Sequence, residues 1–170
     1  MAEPLRVLIV EDSEDDATLL VRELERAGYD VSWERVDTAG AMRSALEGRS
    51  WDLVVADYNM PSFSAPAALA LLQQLEIDLP FIIVSGSVGE DIAVEVMRAG
   101  AHDYLLKGNL KRLFPAIQRE LDQAGQRRAR RKAEERYREL FESANDIVFT
   151  LDLEGRFTSI NAAAERITGY

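Results

Sequence analysis

Cysteine is absent from this chain and histidine occurs once, at His102. Disulfide scaffolds, thiolate chemistry, Cys/His zinc centres and clustered imidazole sites are thereby excluded, and oxygen ligands remain for any metal. Long hydrophobic runs are missing too. The apolar stretch 65–72 is too short to span a bilayer, and the N-terminus, MAEPLRVLIVED, carries Glu3 and lacks the basic flank and apolar length of a signal peptide. Positive charge is in deficit: 20 basic side chains stand against 30 acidic ones, net -10. A phosphate field would repel the bulk of such a chain, which argues against a nucleic-acid or anionic-membrane binder. These absences lead us to expect a soluble cytoplasmic protein.

What is present suffices for a folded body. In 170 residues, 47% hydrophobic and 29% charged, there is room for one ordinary domain and a few dozen residues more. Charge is unevenly spread: net -11 over 1–125, +4 over 126–139 and -3 over 140–170. The first block alternates short apolar, β-branched runs with helical patterns, the signature of a parallel sheet covered on both faces. The runs are Leu5 to Val10, Val31 to Val36, Leu53 to Ala56, Phe81 to Val84 and Asp103 to Leu105. The expected fold is α/β, a doubly wound five-stranded parallel sheet of flavodoxin-like type with an extended C-terminal helix. Ser13 is placed to cap the first helix, with Glu14, Asp15 and Asp16 in its first turn, and Gly28 and Gly48 fall where helices should stop.

In an open parallel sheet the ligand site lies outside the carboxyl ends of the strands. There the sequence puts Glu11 and Asp12 after strand one, Asp57 after strand three, Ser85 after strand four and Lys107 after strand five. Three carboxylates in one pocket repel one another by several kcal/mol per pair at an effective dielectric of about 20. One Mg2+ together with the Lys107 ammonium balances them, and Mg2+ suits hard oxygen ligands in an incomplete shell that reaches toward phosphate. Asp57 is the expected nucleophile, since it follows the central strand and leads into Tyr58-Asn59-Met60-Pro61, a turn whose carbonyls can face the metal. An ionised carboxylate needs an electron-withdrawing clamp on the phosphoryl group rather than a base, and Mg2+, Lys107 and the Ser85 hydroxyl would form it.

The segments VLIVED, DYNMP at 57–61, IIVSGS at 82–87 and AGAHDYLLK at 99–107 together resemble a response-regulator receiver domain over about residues 5–122. The resemblance implies that Asp57 accepts a phosphoryl group from a sensor histidine kinase or a phosphotransfer protein. It implies Glu11, Asp12, Asp57 and the Asn59 main-chain carbonyl as Mg2+ ligands. It also implies a switch in which Ser85 turns toward the phosphoryl and Tyr104 changes rotamer, altering the face of helix four, strand five and helix five. Two positions depart from the family pattern: Glu11 stands where Asp is commoner, and Gly108 follows Lys107 where a cis proline is usual. A cis bond before glycine would cost about 2.5 to 4 kcal/mol, so a trans bond or a differently shaped loop is expected.

Other residues receive plainer readings. Glu14, Asp15 and Asp16 are taken as caps and solvated surface. His102 is taken as a surface or capping residue, and Phe63 as semi-exposed and available for contact. Gly86-Ser87-Val88-Gly89 lacks the lysine and hydroxyl of a nucleotide loop and is not read as one.

In the second half, Leu110, Phe114, Ile117, Leu121 and Ala124 form the stripe of a fifth helix. Gln126 to Glu139 is charged and helix-favouring, with Arg130 to Glu134, Arg131 to Glu135 and Glu134 to Arg138 each four apart. Ala133, Tyr137, Leu140 and Ala144 resume an apolar stripe, and a helix running from Leu110 to Ser143 would be about 50 Å long at 1.5 Å per residue. A homodimer through helix five and the linker helix is expected, the basic run Arg127 to Lys132 being a solvated or paired helix face. From Tyr137 to Tyr170 the chain resembles the opening of a PAS domain and stops short of a full PAS sheet. The organisation expected is a receiver over 1–122, a helical linker over 123–143 and an incomplete PAS segment over 144–170, with Asp146 to Tyr170 disordered or held only by a dimer partner. We expect a piece of a longer protein whose PAS-linked effector lies beyond it. The chain is read as a signalling receiver rather than an enzyme; the alternatives are a degenerate receiver that binds protein without being phosphorylated, and a Mg2+-dependent phosphohydrolase using Asp57.

Overall fold

All five apolar runs become strands of one parallel sheet. The computed structural model describes residues 2–86 and 89–169, so Ser87 and Val88 of the glycine-flanked loop, and Tyr170 of the closing ITGY, lie outside the described residues. The order is β1 (Glu3–Val10), α1 (Glu14–Arg26), β2 (Tyr29–Val36), α2 (Ala39–Gly48), β3 (Leu53–Asp57), α3 (Ala65–Gln74), β4 (Phe81–Ser85), α4 (Glu90–Arg98) and β5 (Asp103–Leu106). A 3₁₀ segment, Lys107–Arg112, leads into α5 (Leu113–Ser143), followed by β6 (Phe149–Leu151), β7 (Phe157–Ile160) and α6 (Ala163–Thr168). The large sheet runs β2-β1-β3-β4-β5. Strand order reverses beside β1, which opens a crevice between the ends of β1 and β3.

Side-chain alternation along the strands builds two cores, one on each face. Leu8, Val10, Val54, Ala56, Phe81 and Ile83 face one way, with Met42, Leu46, Leu69 and Leu72 from α2 and α3. Leu5, Val7, Ile9, Leu53, Val55, Ile82 and Val84 face the other, against Leu20, Val21 and Leu24 of α1 and Leu113, Ala116 and Ile117 of α5. Helices α1, α2 and α3 begin at capping hydroxyls. Ser13 accepts from the Asp16 N–H at 3.2 Å and Ser64 from the Ala67 N–H at 3.4 Å. After α1 the chain reverses through Gly28 at φ 101, a conformation that favours glycine.

Two plainer readings are corrected. Phe63 is buried rather than semi-exposed, 6% accessible within the α2–α3 core. The short turn at Pro61 and Ser62 stays in solvent while the Ser64 cap swings the chain back, and burying a phenylalanine ring is worth about 1.5–3 kcal/mol. His102 is a strand connector: its Nδ1 accepts from the Phe81 N–H at 3.1 Å, and its own N–H donates to the Phe81 carbonyl at 2.8 Å. Beyond β5 no cis peptide occurs among the described residues. The path to helix five is the 3₁₀ segment, kinked at Asn109 (φ -136, ψ 53), so Leu110 precedes α5 rather than opening it.

The chain divides into two compact units between Ala124 and Gly125, inside α5. Among the described residues no helix is long and apolar enough to cross a membrane. In the second unit Arg130 pairs with Glu134 at 2.8 Å and Arg131 with Glu135 at 3.9 Å, as the four-residue spacing predicts. The PAS-like segment, expected to be disordered or held only by a dimer partner, forms an antiparallel hairpin of β6 and β7 followed by α6. Asn161 explains the order. Its buried amide donates to the carbonyls of Phe141 (2.9 Å) and Asp146 (3.0 Å), and its Oδ1 accepts from the Val148 N–H (3.0 Å). Phe149, Leu151, Phe157 and Ile160 of the hairpin nonetheless remain exposed, in line with a PAS core only partly built. Asn161→Ala removes these three bonds, the one to Phe141 fully buried, and costs about 2 kcal/mol of local stability. Hydrogen exchange should show it as lost protection at Val148.

Candidate functional site

The ends of β1, β3, β4 and β5 and the first turn of α1 converge on one acidic pocket. Glu11 and Asp57 are buried, 5% and 8% accessible, while Asp12 is exposed. One carboxylate oxygen from each of Glu11, Asp12 and Asp57 lies within 4.8 Å of the others. Lys107 enters from the 3₁₀ segment. Its Nζ donates to Glu11 Oε2 at 3.0 Å and to Asp16 Oδ2 at 2.5 Å, and stands 3.3 Å from Asp57 Oδ2. A cavity of about 180 Å³ opens beside these groups, floored by Ile9, Ala17, Leu20, Val55 and Val84.

Local chemistry fixes each piece. The Glu11 N–H donates to the Val36 carbonyl (3.0 Å) and its Oε1 accepts from the Ser13 N–H (3.1 Å), so this residue is held at both its backbone and its carboxylate. Asp57 closes the central strand, and the Tyr58 N–H donates to the Val84 carbonyl at 3.0 Å. The Asn59 N–H reaches Asp57 Oδ1 at 3.4 Å, and its side-chain amide points to the buried Ser85 hydroxyl at 3.5 Å. Tyr104 stands apart from this pocket. It packs partly buried on the α2–α3 core and lines a second cavity of about 160 Å³ with Ala93, Leu106, Asn109 and Arg112.

Burial pushes the Glu11 carboxyl above its ordinary range, with Asp57 adding to the rise, while the Ser13 N–H and Lys107 pull against it. Burial alone would depress Lys107; its hydrogen bonds with Asp16 and Glu11 and the charge of Asp57 outweigh that and raise it. A carboxyl raised by folding contributes stability only below its unfolded range and loses it as pH climbs through the raised value. Lys107, raised as well, contributes fully at neutral pH and loses its contribution only in strong alkali. With no divalent cation added, Glu11→Gln should therefore melt higher than the parent chain at neutral pH. The gain should fade toward about pH 4, where the parent carboxyl is itself protonated.

Sequence reading singled out Glu11, Asp12, Asp57, Asn59, Ser85 and Lys107, and the structure brings them to one end of the sheet. It missed two contributors. Asp16, taken as solvated surface, makes the shortest contact to Lys107. Helical side chains lean back toward the N-terminus, so the third residue of α1 overhangs the strand ends, a signal that was available. Arg35, at the end of β2, donates to the Glu11 carbonyl at 2.9 Å and approaches the Asp12 carbonyl at 3.4 Å; no pattern in the sequence marks it.

Oxygen donors alone form this cluster, and their negative charge exceeds what the Lys107 ammonium offsets. Both properties fit a hard divalent cation. An acidic trio of this kind is typical of a receiver Mg2+ site.

Comparison with known proteins gives the same result. The family model for the response regulator receiver domain matches residues 7–118, and the model for a PAS domain matches residues 135–170. The chain is 38% identical over 102 residues to the transcriptional regulatory protein PrrA of Mycobacterium tuberculosis, covering 60% of this chain and 43% of that protein. It is 30% identical over 103 residues to the cell cycle transcriptional regulator CtrA of Caulobacter vibrioides, covering 61% and 44%. The chain thus spans less than half the length of these curated relatives. Among solved structures, FixJ-N superposes with a TM-score of 0.60 at 31% identity, covering 69% of this chain and 94% of that one. The response regulator StyR does so with a TM-score of 0.68 at 27% identity, covering 84% and 71%. A receiver domain is a component of two-component signalling and not a classical enzyme. This chain belongs to the response regulator receiver family, and its receiver domain is followed by a long helix and part of a PAS domain.

Proposed function

We propose that the chain is a phosphoacceptor module in which Asp57 takes a phosphoryl group from the phosphohistidine of a sensor histidine kinase or phosphotransfer protein in the cytoplasm. The carboxylate oxygen attacks phosphorus as the P–N bond breaks, and the departing imidazole keeps the bonding pair and takes up a proton. Asp57 needs no base because it reacts as the carboxylate. Glu11, Asp12, Asp57 and the Asn59 main-chain carbonyl would hold Mg2+, which supplies charge neutralisation on the phosphoryl oxygens. Lys107 holds a second positive charge against the same group, and the Ser85 hydroxyl is the hydrogen-bond donor that turns toward it. Tyr104, on the face of α4, β5 and the start of α5, is the residue whose rotamer reports the change. The output passes through a homodimer formed along α5 to a PAS-linked effector.

The observation that carries this reading is the Lys107 ammonium 3.3 Å from Asp57 within an oxygen-only trio spanning 4.8 Å. Its test is intact-mass spectrometry of the chain after incubation with acetyl phosphate and Mg2+. One phosphoryl group per chain, located at Asp57 by peptide mapping, is the expected result. An unmodified chain that still binds a partner protein would instead mark a receiver used only as a docking module.

A further inference from the structure

We infer that Asp16 is a positioning residue for phosphoryl transfer: it anchors the Lys107 ammonium so that a free N–H donor is kept at Asp57. The inference rests on the phosphoacceptor reading above and adds a residue to its machinery.

An ammonium has three N–H donors and a long, mobile stem. Two donors of Lys107 are committed, to Glu11 Oε2 at 3.0 Å and Asp16 Oδ2 at 2.5 Å, which leaves one for the group at Asp57, whose Oδ2 is 3.3 Å away. The two anchors differ in kind. Glu11 belongs to the acidic trio, so its charge is shared once a divalent cation is bound there. Asp16 lies outside that trio, and its hold on Lys107 is unaffected.

Asp16 is also well fixed. It sits in the first turn of α1, its backbone N–H held by Ser13 Oγ at 3.2 Å, while the Ser13 N–H holds Glu11 Oε1 at 3.1 Å. The Asp16 carboxylate is therefore set by a capped helix rather than by a loop. A half-exposed ion pair contributes little to folding. The consequence of losing it falls on where Lys107 points.

The whole 170-residue chain serves for the test, with phosphorylation of Asp57 followed against acetyl phosphate concentration at saturating Mg2+. Asp16→Ala is expected to lower the saturating rate about tenfold, within the hundredfold that an ångström of misplacement can cost. Its melting temperature and its half-saturating Mg2+ concentration should stay those of the parent. Asp16→Glu should recover most of the rate. Adding Asp16→Ala to Lys107→Ala should slow the reaction no further, because Asp16 acts only through Lys107. In a spectrum of the ¹⁵N-labelled chain without acetyl phosphate, the Lys107 ammonium signal should broaden in Asp16→Ala. If Asp16→Ala proves unfolded by circular dichroism, Asp16→Asn takes its place in every comparison. A parent chain that is phosphorylated while the Asp16 variant reacts as fast overturns this inference alone, as does a double variant slower than Lys107→Ala. A parent chain that takes no phosphoryl group overturns both readings.

Discussion

Asp57→Ala should take up no phosphoryl group from acetyl phosphate and Mg2+ under conditions that label the parent chain once. The effect is all or none because the chemistry requires an ionised oxygen nucleophile at that place, and alanine has none. The fold around it should survive. Asp57 ends β3, whose backbone stays paired with β1 and β4, so the loss reflects the missing oxygen and not a displaced strand. The same substitution removes one of three carboxylates from a cluster spanning 4.8 Å, so Mg2+ should raise the melting temperature of the parent and leave that of the variant nearly unchanged. Intact mass and a thermal melt with and without Mg2+ read both outcomes on one sample. Adduct formation in the Asp57→Ala chain would place the nucleophile elsewhere.

Phe81→Ala should cost about 3–5 kcal/mol of unfolding free energy, a large part of what holds a domain of this size together. Phe81 is fully buried at the head of β4. Truncation leaves a cavity between the sheet and the α2–α3 layer that neighbours on well-paired strands are poorly able to fill. The backbone exchange with His102 involves only the Phe81 N–H and C=O and persists, which keeps β4 in register. Denaturant titration should accordingly show a lower midpoint with an unchanged slope. A loss under about 1 kcal/mol would mean that the site collapses onto the missing ring.

What could be read from the sequence was governed by the range of the forces involved. Strands β1, β3 and β4 are apolar runs buried on both faces, so composition alone locates them, and the residues just past their ends follow. Glu11, Asp12, Asp57 and Lys107 were legible as a set because parallel topology must bring strand ends together. Phe63 was not, since two flanking serines mask a ring whose burial depends on the direction in which α3 leaves. Asp16 was hidden by its own plausibility as a cap: its backbone is indeed capped, while its carboxylate serves Lys107, 91 residues away. Arg35 is a long-range contact from an edge strand, with no local pattern to announce it. The order in the PAS-like hairpin hinges on one asparagine satisfying three backbone groups, a tertiary fact invisible to periodicity.

The alternate filling of the two cores by β4 bears on how this molecule can respond to a signal. Phe81 and Ile83 are locked into one layer, Ile82 and Val84 into the other. Sliding the strand by a single residue would exchange the two sets and empty both layers at once, so β4 behaves as a fixed rail ending at Ser85. On the phosphoacceptor reading, a turn of the Ser85 hydroxyl would then be a change of side-chain torsion against a stationary frame.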